Sequence, residues 1–387
     1  MKTKYLIFIF VLLASSHCLL ELFANQLPAN KNSLADLYKR GRLHLIPEII
    51  IGDSTLPKEA ILEIPVDITS DSEGNVYVLD QKANNIKKFD SSGKFVKTIG
   101  RRGSGPGDFN SPHHFTFAKD RLVVWDEDNF RICTLTSEGK FLKSIKSPML
   151  GAWPDKLRSL PNGDIIIERL KLSFTYKPQD FSLEIFSPDL KLKKVFHSEK
   201  VWPYKYSKIV SKSLPAPFYF YIYWDVTPEG RIVMGFSEKN EIEIHDPFGG
   251  ILSSFSHPYE PVKINEQDKK EFLDGITYVI DGRRAPYPDV YKKNTEFPKF
   301  KPAFFNILVD SQGNILVSRY RNNRDEDYRI FDVFNSDGNF ISTVQFMGIS
   351  SFPRNFDLVY FIKNYVWIAD TDNDGLYKIT KYRIAIS

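Results

Sequence analysis

The heptapeptide FDSSGKF at residues 89–95 returns as LTSEGKF at 135–141 and as FNSDGNF at 334–340. Looser copies are FSPDLKL at 186–192 and HDPFGGI at 245–251. Each copy has the same grammar: a strand end, a turn built from Gly, Asp, Asn or Ser, and the first residues of a new strand. A second pattern lies upstream of these turns. It is DSEGNVYV at 71–78 and DSQGNILV at 310–317, with further copies PNGDIII at 161–167 and TPEGRIV at 227–233. A third is an Asp closing the second strand, as Asp80 in YVLD, Asp126 in VVWD and Asp370 in WIAD. One unit is therefore four strands joined by three turns.

The repeat step is about 45 residues, lengthened where loops intrude, which is the size of a four-stranded propeller blade. Turn anchors at 89, 135, 186, 245 and 334, with Ile379 in the equivalent place, give six blades. The chain ends eight residues after Ile379, so the sixth blade lacks an outer strand. The strand-like run LHLIPEIIIG at 43–52 has no partner of its own. We expect it to complete that blade and close the ring, which removes the free edges of an open sheet. The predicted class is all-β: a six-bladed β-propeller of four-stranded antiparallel blades. A short helix, 266–273 capped by Asn265, is expected in an insertion between blades four and five.

IGRRGSGPGDFNSP at 99–112, followed by the D-x-x-G-N-hydrophobic pattern, resembles the inter-blade segment of NHL-repeat propellers. The resemblance is close over 65–147, good over 301–345 and weak over 150–260. It implies a six-bladed propeller of the kind found in extracytoplasmic sensors that bind ligands or partners. Some relatives, such as the peptidyl-hydroxyglycine lyases, are metal-dependent enzymes.

The N-terminus reads as an export signal. Lys2 and Lys4 precede an apolar run from Tyr5 to Leu20, and Ala24 supplies a small residue for cleavage. An acylated Cys18 and a retained anchor stay open as alternatives. The expected organisation is 1–24 signal peptide or anchor, 25–42 linker and 43–387 propeller, with insertions at 197–222 and 258–302. The product is periplasmic or secreted, touching a membrane only through its N-terminal segment. The net charge of +4 carries no basic footprint of a nucleic-acid binder. With the signal removed Cys133 stands alone, so neither an internal disulfide nor a cysteine zinc site forms.

Several motifs have structural readings. GSGPG at 103–107 leads into a strand rather than a helix, so it is an inter-blade turn and not a phosphate cradle. DTDNDG at 370–375 begins like a calcium loop, but the twelfth position is Lys381 and no helices flank it. His245 occupies an apolar repeat position. No nucleophile elbow, His-Glu-x-x-His or paired-carboxylate motif occurs.

Taking the same repeat position in every blade gives a ring of candidates: Asp67, His114, Lys156, Tyr223, Asn306 and Asp357. The adjacent positions Ile68, Leu157, Trp224 and Ile307 are apolar. A polar ring at a channel mouth can hold a small ligand or an ion; its plain alternative is the solvated funnel every propeller needs. The insertions add aromatic and cationic candidates: Trp202, Tyr204, Arg283, Arg284 and Tyr287. The expected function is that of a binding module, sensor or scaffold recognising a peptide, glycan or envelope protein. A metal-dependent lyase or hydrolase centred on the channel is the alternative. No cofactor is called for, with Ca²⁺ or Zn²⁺ left open, a weak calcium site at 370–375 among the alternatives.

Overall fold

A computed structural model describes residues 33–53, 56–146, 152–171, 179–201, 218, 220–275, 277–280, 283–286, 292–293, 295–320, 328–347, 359–371 and 376–386. Five blades are built from consecutive strands. Blade one runs Pro65–Ser70, Val76–Asp80, Asn85–Phe89 and Phe95–Ile99; blade two runs Pro112–Ala118, Arg121–Asp126, Arg131–Thr136 and Phe141–Lys146. Blades three, four and five start at Ala152–Ser159, Ile222–Val226 and Ile307–Val309, and end at Leu192–Val201, Ile251–Phe255 and Phe340–Met347. Blade six has only Val359–Ile362, Tyr365–Thr371 and Tyr377–Ile386 from the C-terminal end. Its outer strand is Arg42–Ile51, antiparallel to the last strand from Leu43 opposite Ile386 to Ile51 opposite Ile379. The expected closure is thus observed. The closing strand also runs parallel to the outer strand of blade five, with Arg42 opposite Gln345 and His44 opposite Met347, so blades five and six share one sheet.

Burial explains the strand composition. Val76–Asp80 is buried along its whole length, because both faces of a blade pack on neighbours. Side chains alternate between the two junctions. Val76 and Val78 pack toward blade six, with Trp367 and Ile379, whereas Tyr77 and Leu79 pack toward blade two, with Phe115 and Val124. The core is accordingly divided into clusters, one at each of the junctions around the ring. The innermost strands touch in cyclic order, blade one to blade two and onward until blade six meets blade one.

The repeat residues have local reasons. Asp71 Oδ1 accepts the Asn75 N–H at 2.9 Å, and Asp310 Oδ1 accepts that of Asn314 at 2.9 Å, closing the tight turns. Asp80 accepts the N–H groups of Glu63 and Ile64 at 2.8 and 3.0 Å, and Asp126 accepts that of Asn110 at 2.7 Å. These carboxylates pin the segments entering the innermost strands of blades one and two. In the 103–107 turn, carbonyls of Ser104, Gly105 and Asp108 converge on Arg131. A phosphate loop would present amides instead.

Two stretches depart from expectation. Within the supposed linker, Leu34–Tyr38 forms a short helix, α1, capped by Ser33. Its Leu34, Leu37 and Tyr38 are buried against blades five and six, and Tyr38 Oη donates to Asp310 Oδ2 at 3.0 Å. The insertion helix, α2, covers Glu266–Gly275, two residues longer than predicted. Its Asn265 cap accepts from Asp268 N at 2.8 Å while Asp268 Oδ2 accepts from Asn265 N at 3.0 Å.

Candidate functional site at the channel mouth

Each innermost strand starts at the same face of the ring, and the described parts of the connections between blades, α2 of the insertion among them, lie there. The N-terminal helix enters at the opposite face, where Leu34 N donates to Gln312 Oε1 in the first turn of blade five. The predicted ring residues belong to the insertion-bearing face. A repeated bulge places them. Pairing shifts between Pro65 and Asp67, between Pro112 and His114, and between Pro154 and Leu157. In each of these three strands a Pro is followed by one residue and then the ring residue; bulges re-aim side chains in this way beside functional sites. The register settles blade two: Asp67 faces Leu79 and His114 faces Trp125, each one residue before the Asp that closes the strand.

Asp67 is 4% exposed and fully engaged. Its Oδ1 accepts from Ile68 N at 2.9 Å and Tyr360 Oη at 2.8 Å; its Oδ2 accepts from Phe115 N at 3.0 Å. Innermost strands have no further partner on the channel side, so such N–H groups need a side-chain acceptor. Asp225 repeats the device three blades on, its Oδ2 accepting from Val309 N of blade five at 3.0 Å. His114 Nδ1 lies 3.8 Å from Asp67 Oδ2, and its Nε2 lies 2.9 Å from His113 Nδ1.

The cations come from blade three. Arg158 Nε donates to Asp225 Oδ1 at 3.1 Å and its Nη1 to the Leu157 carbonyl at 2.9 Å. Lys156 Nζ donates to the Trp224 carbonyl, stands 3.6 Å from Asp225 Oδ1 and lies over the Trp224 ring at 5.2 Å. Burial opposes ionisation of Asp225, but Lys156, Arg158 and the N–H groups of Val309 and Val226 outweigh it and hold its carboxyl below the usual range. The Arg158 side chain keeps 27% exposure, and Asp67 of blade one and Tyr360 of blade six act on its guanidinium as well as Asp225. Glu127, in the turn after Asp126, is a titratable group within reach of His114. Burial and the adjacent Asp128 push its carboxyl up to about 7, against the pull of His114.

The predicted ring is therefore partly assembled. Asp67, His114 and Lys156 join the polar cluster. Tyr223 lies on the blade-four strand with its ring against Tyr221 and Phe304, packed at a junction. Asn306 directs Oδ1 to its neighbour Ile307 N at 2.8 Å. Asp357, Trp202, Tyr204 and Tyr287 lie outside the described residues, as do 372–375 of the DTDNDG stretch. Arg283 and Arg284 lie on Arg283–Pro286, which pairs with Thr277–Ile280 in a small hairpin. Sequence reading missed Arg158, Asp225, Tyr360 and Glu127.

A metal fits this cluster poorly. Both Asp67 oxygens accept hydrogen bonds, His114 is engaged by His113, and two cations occupy the blade-three side. Among the described residues, no three His, Cys, Asp or Glu side chains converge on a common point. What the arrangement offers is hydrogen-bond donors: both carboxylates are occupied, while the Arg158 side chain, bonded through Nε and Nη1, keeps 27% exposure.

Residues 61–224 match a family described as a 6-bladed β-propeller. The fold is similar to that of a Bacteroides fragilis protein named for its inferred export, with 13% identity, a TM-score of 0.53, and 89% of this chain and 95% of the other covered. It is also similar to a member of the DUF4221 family from Bacteroides vulgatus, with 12% identity, a TM-score of 0.55, and 90% and 100% covered. At these identities the likeness concerns the fold. Among the described residues, no helix is long and apolar enough to cross a membrane. The family match and the closed ring together make this chain a six-bladed β-propeller protein.

Proposed function

We propose that the protein is an exported binding module that recognises a peptide, glycan or envelope protein through the insertion-bearing face, taking an anionic group of that ligand at the channel mouth. The observation that carries this reading is Arg158: a guanidinium among the innermost strands, ion-paired on one edge to Asp225 and still 27% exposed. A planar fork with open donors suits a carboxylate or phosphate better than any other group. Lys156 beside it adds positive charge, and the two carboxylates are occupied by backbone and tyrosine donors. Export is supported by the basic-apolar N-terminus and by the similar Bacteroides fragilis propeller.

The test is a thermal-shift screen of small carboxylates, phosphates, acidic sugars and peptides on the protein and on its Arg158→Gln variant. A ligand at about 100 times its dissociation constant adds about 2.7 kcal/mol to the folded state, a readable shift. The reading expects a stabilising anion whose effect disappears in the variant. No stabilising anion, or an equal shift in both proteins, rejects it.

A further inference from the structure

The insertion between blades four and five holds a second concavity. It is a cleft of about 780 Å³ lined by Lys263, Lys269, Lys270, Lys292 and Lys299 around Ile264, Leu273, Phe297 and Pro298. One wall is α2; the other is a pair of extended segments joined by Ile264 N to the Lys299 carbonyl at 3.2 Å and Lys301 N to the Val262 carbonyl at 2.9 Å. The insertion is fastened to the propeller beneath. Lys301 Nζ lies 2.9 Å from Asp268 Oδ1, both side chains almost wholly buried, and over the rings of Phe218 and Tyr320. The cleft is thus a built feature on a fixed support.

Its charge is lopsided. Among the described residues Glu266 and Asp274 are its acidic lining residues, and they pair with Lys269 at 2.6 Å and Lys292 at 3.9 Å. Lys263, Lys270 and Lys299 are exposed and have no carboxylate partner among the described residues. Three ammonium groups around one concavity repel each other, and a bound anion relieves that repulsion. The floor sets the rest of the chemistry. Ile264, Leu273, Phe297 and Pro298 offer an apolar side chain somewhere to go, whereas among the described lining residues Thr295 is the one uncharged polar side chain. A glycan would leave its hydroxyls short of acceptors there.

We infer that this cleft binds an acidic peptide segment of a partner protein, an apolar side chain on the floor and flanking carboxylates on Lys263, Lys270 and Lys299. It rests on the proposed binding role of this face and adds a site separate from the channel mouth.

The probe is a fluorescein-labelled peptide of alternating Glu and Asp around one central Phe, titrated by anisotropy against the full protein. Oligogalacturonate and inorganic phosphate serve as competitors. We expect saturable binding that weakens with salt. The triple variant Lys263→Gln, Lys270→Gln, Lys299→Gln should weaken it about tenfold or more, and the corresponding triple Lys→Arg variant should retain it. No binding by the wild type overturns the proposal. So does unchanged affinity in the Gln variant, loss in the Arg variant, or displacement by oligogalacturonate at lower concentration than by unlabelled peptide. If Arg158→Gln abolishes peptide binding, the peptide sits in the channel and the cleft assignment fails. Loss in the triple Gln variant with the Arg158-dependent anion shift intact separates this site from the channel reading.

Discussion

Arg158 on blade three and Asp225 on blade four meet across a blade junction, Nε to Oδ1 at 3.1 Å, 67 residues apart in the chain. The two ends of this contact are not equivalent. Asp225 also accepts from Val309 N and faces Lys156, whereas Arg158 has the Leu157 carbonyl as a second acceptor and Asp67 as a second carboxylate acting on it. Removing Asp225 takes the shared carboxylate from two cations and the acceptor from Val309 N; removing Arg158 leaves Asp225 still compensated.

From that asymmetry, Asp225→Ala should cost about 3 kcal/mol or more, the usual penalty for breaking a buried pair. Arg158→Ala should cost less than half as much. Urea denaturation of both variants is the check, and equal losses would contradict the assignment of partners. Because Asp225 has a lowered folded pKa, its stabilisation is complete above the unfolded carboxyl range and is lost as pH falls through the folded value. Acid sensitivity should therefore shrink in an Asp225→Asn variant that still folds.

Glu127 has the opposite sign. Its carboxyl is pushed from 4.5 up to about 7 in the folded protein, first by burial and then by Asp128. The folded state holds that proton more tightly than the unfolded chain does. Its contribution is full below about pH 4.5, declines as pH rises toward 7, and is gone above the folded value. Urea midpoints measured near pH 5 and near pH 8 should differ less in Glu127→Gln than in the parent. An identical difference would place the titration elsewhere.

The ring was readable because each blade must solve the same problem. Alternate residues of Val76–Asp80 serve two junctions, the turns need Asp and Gly, and Asp80 and Asp126 hold the entering segment. Those constraints recur with the blade and so repeat in the sequence. Helix α1 does not repeat, although Ser33 before Leu34, Leu37 and Tyr38 carried a cap and a one-face spacing that point to it. At the site, Asp67 and His114 stood out because they share a repeat position. Arg158 and Asp225 sit two positions beyond the ring residues Lys156 and Tyr223, and Tyr360 sits three beyond Asp357; they lie opposite Ile166, Val233 and Trp367, where blades one, two and five carry Thr69, Thr116 and Leu308. Their meaning comes from ring closure, which brings blade six and blade three to the same axis and leaves no trace in local pattern.

Gly100 offers a test of the inter-blade turn. Its φ of +80° belongs to the left-handed region, and a Cβ there would lie 2.3 Å from Cε2 of the buried Phe109 ring. Gly100→Ala combines backbone strain with overpacking and should cost about 2–4 kcal/mol. A melting curve within experimental error of the parent would show that the turn relaxes freely.

The closing strand is the strongest prediction about the fold. Leu43, Leu45 and Ile51 are buried, and each contributes about 1.5–3 kcal/mol on an upper estimate. Tyr38 and its bond to Asp310 add a further anchor between blades five and six. A chain starting at residue 53 would lose all of these and would also expose the edge of Tyr377–Ile386 to pairing with other molecules. We expect such a truncation to aggregate or to lose cooperative unfolding. Supplying a peptide of residues 33–52 in trans should restore solubility, because the missing strand has an empty register waiting opposite Ile379 through Ile386. Cooperative, monomeric unfolding of the truncated chain without the peptide would mean that the sixth blade stands on three strands and that the ring does not depend on its N-terminal clasp.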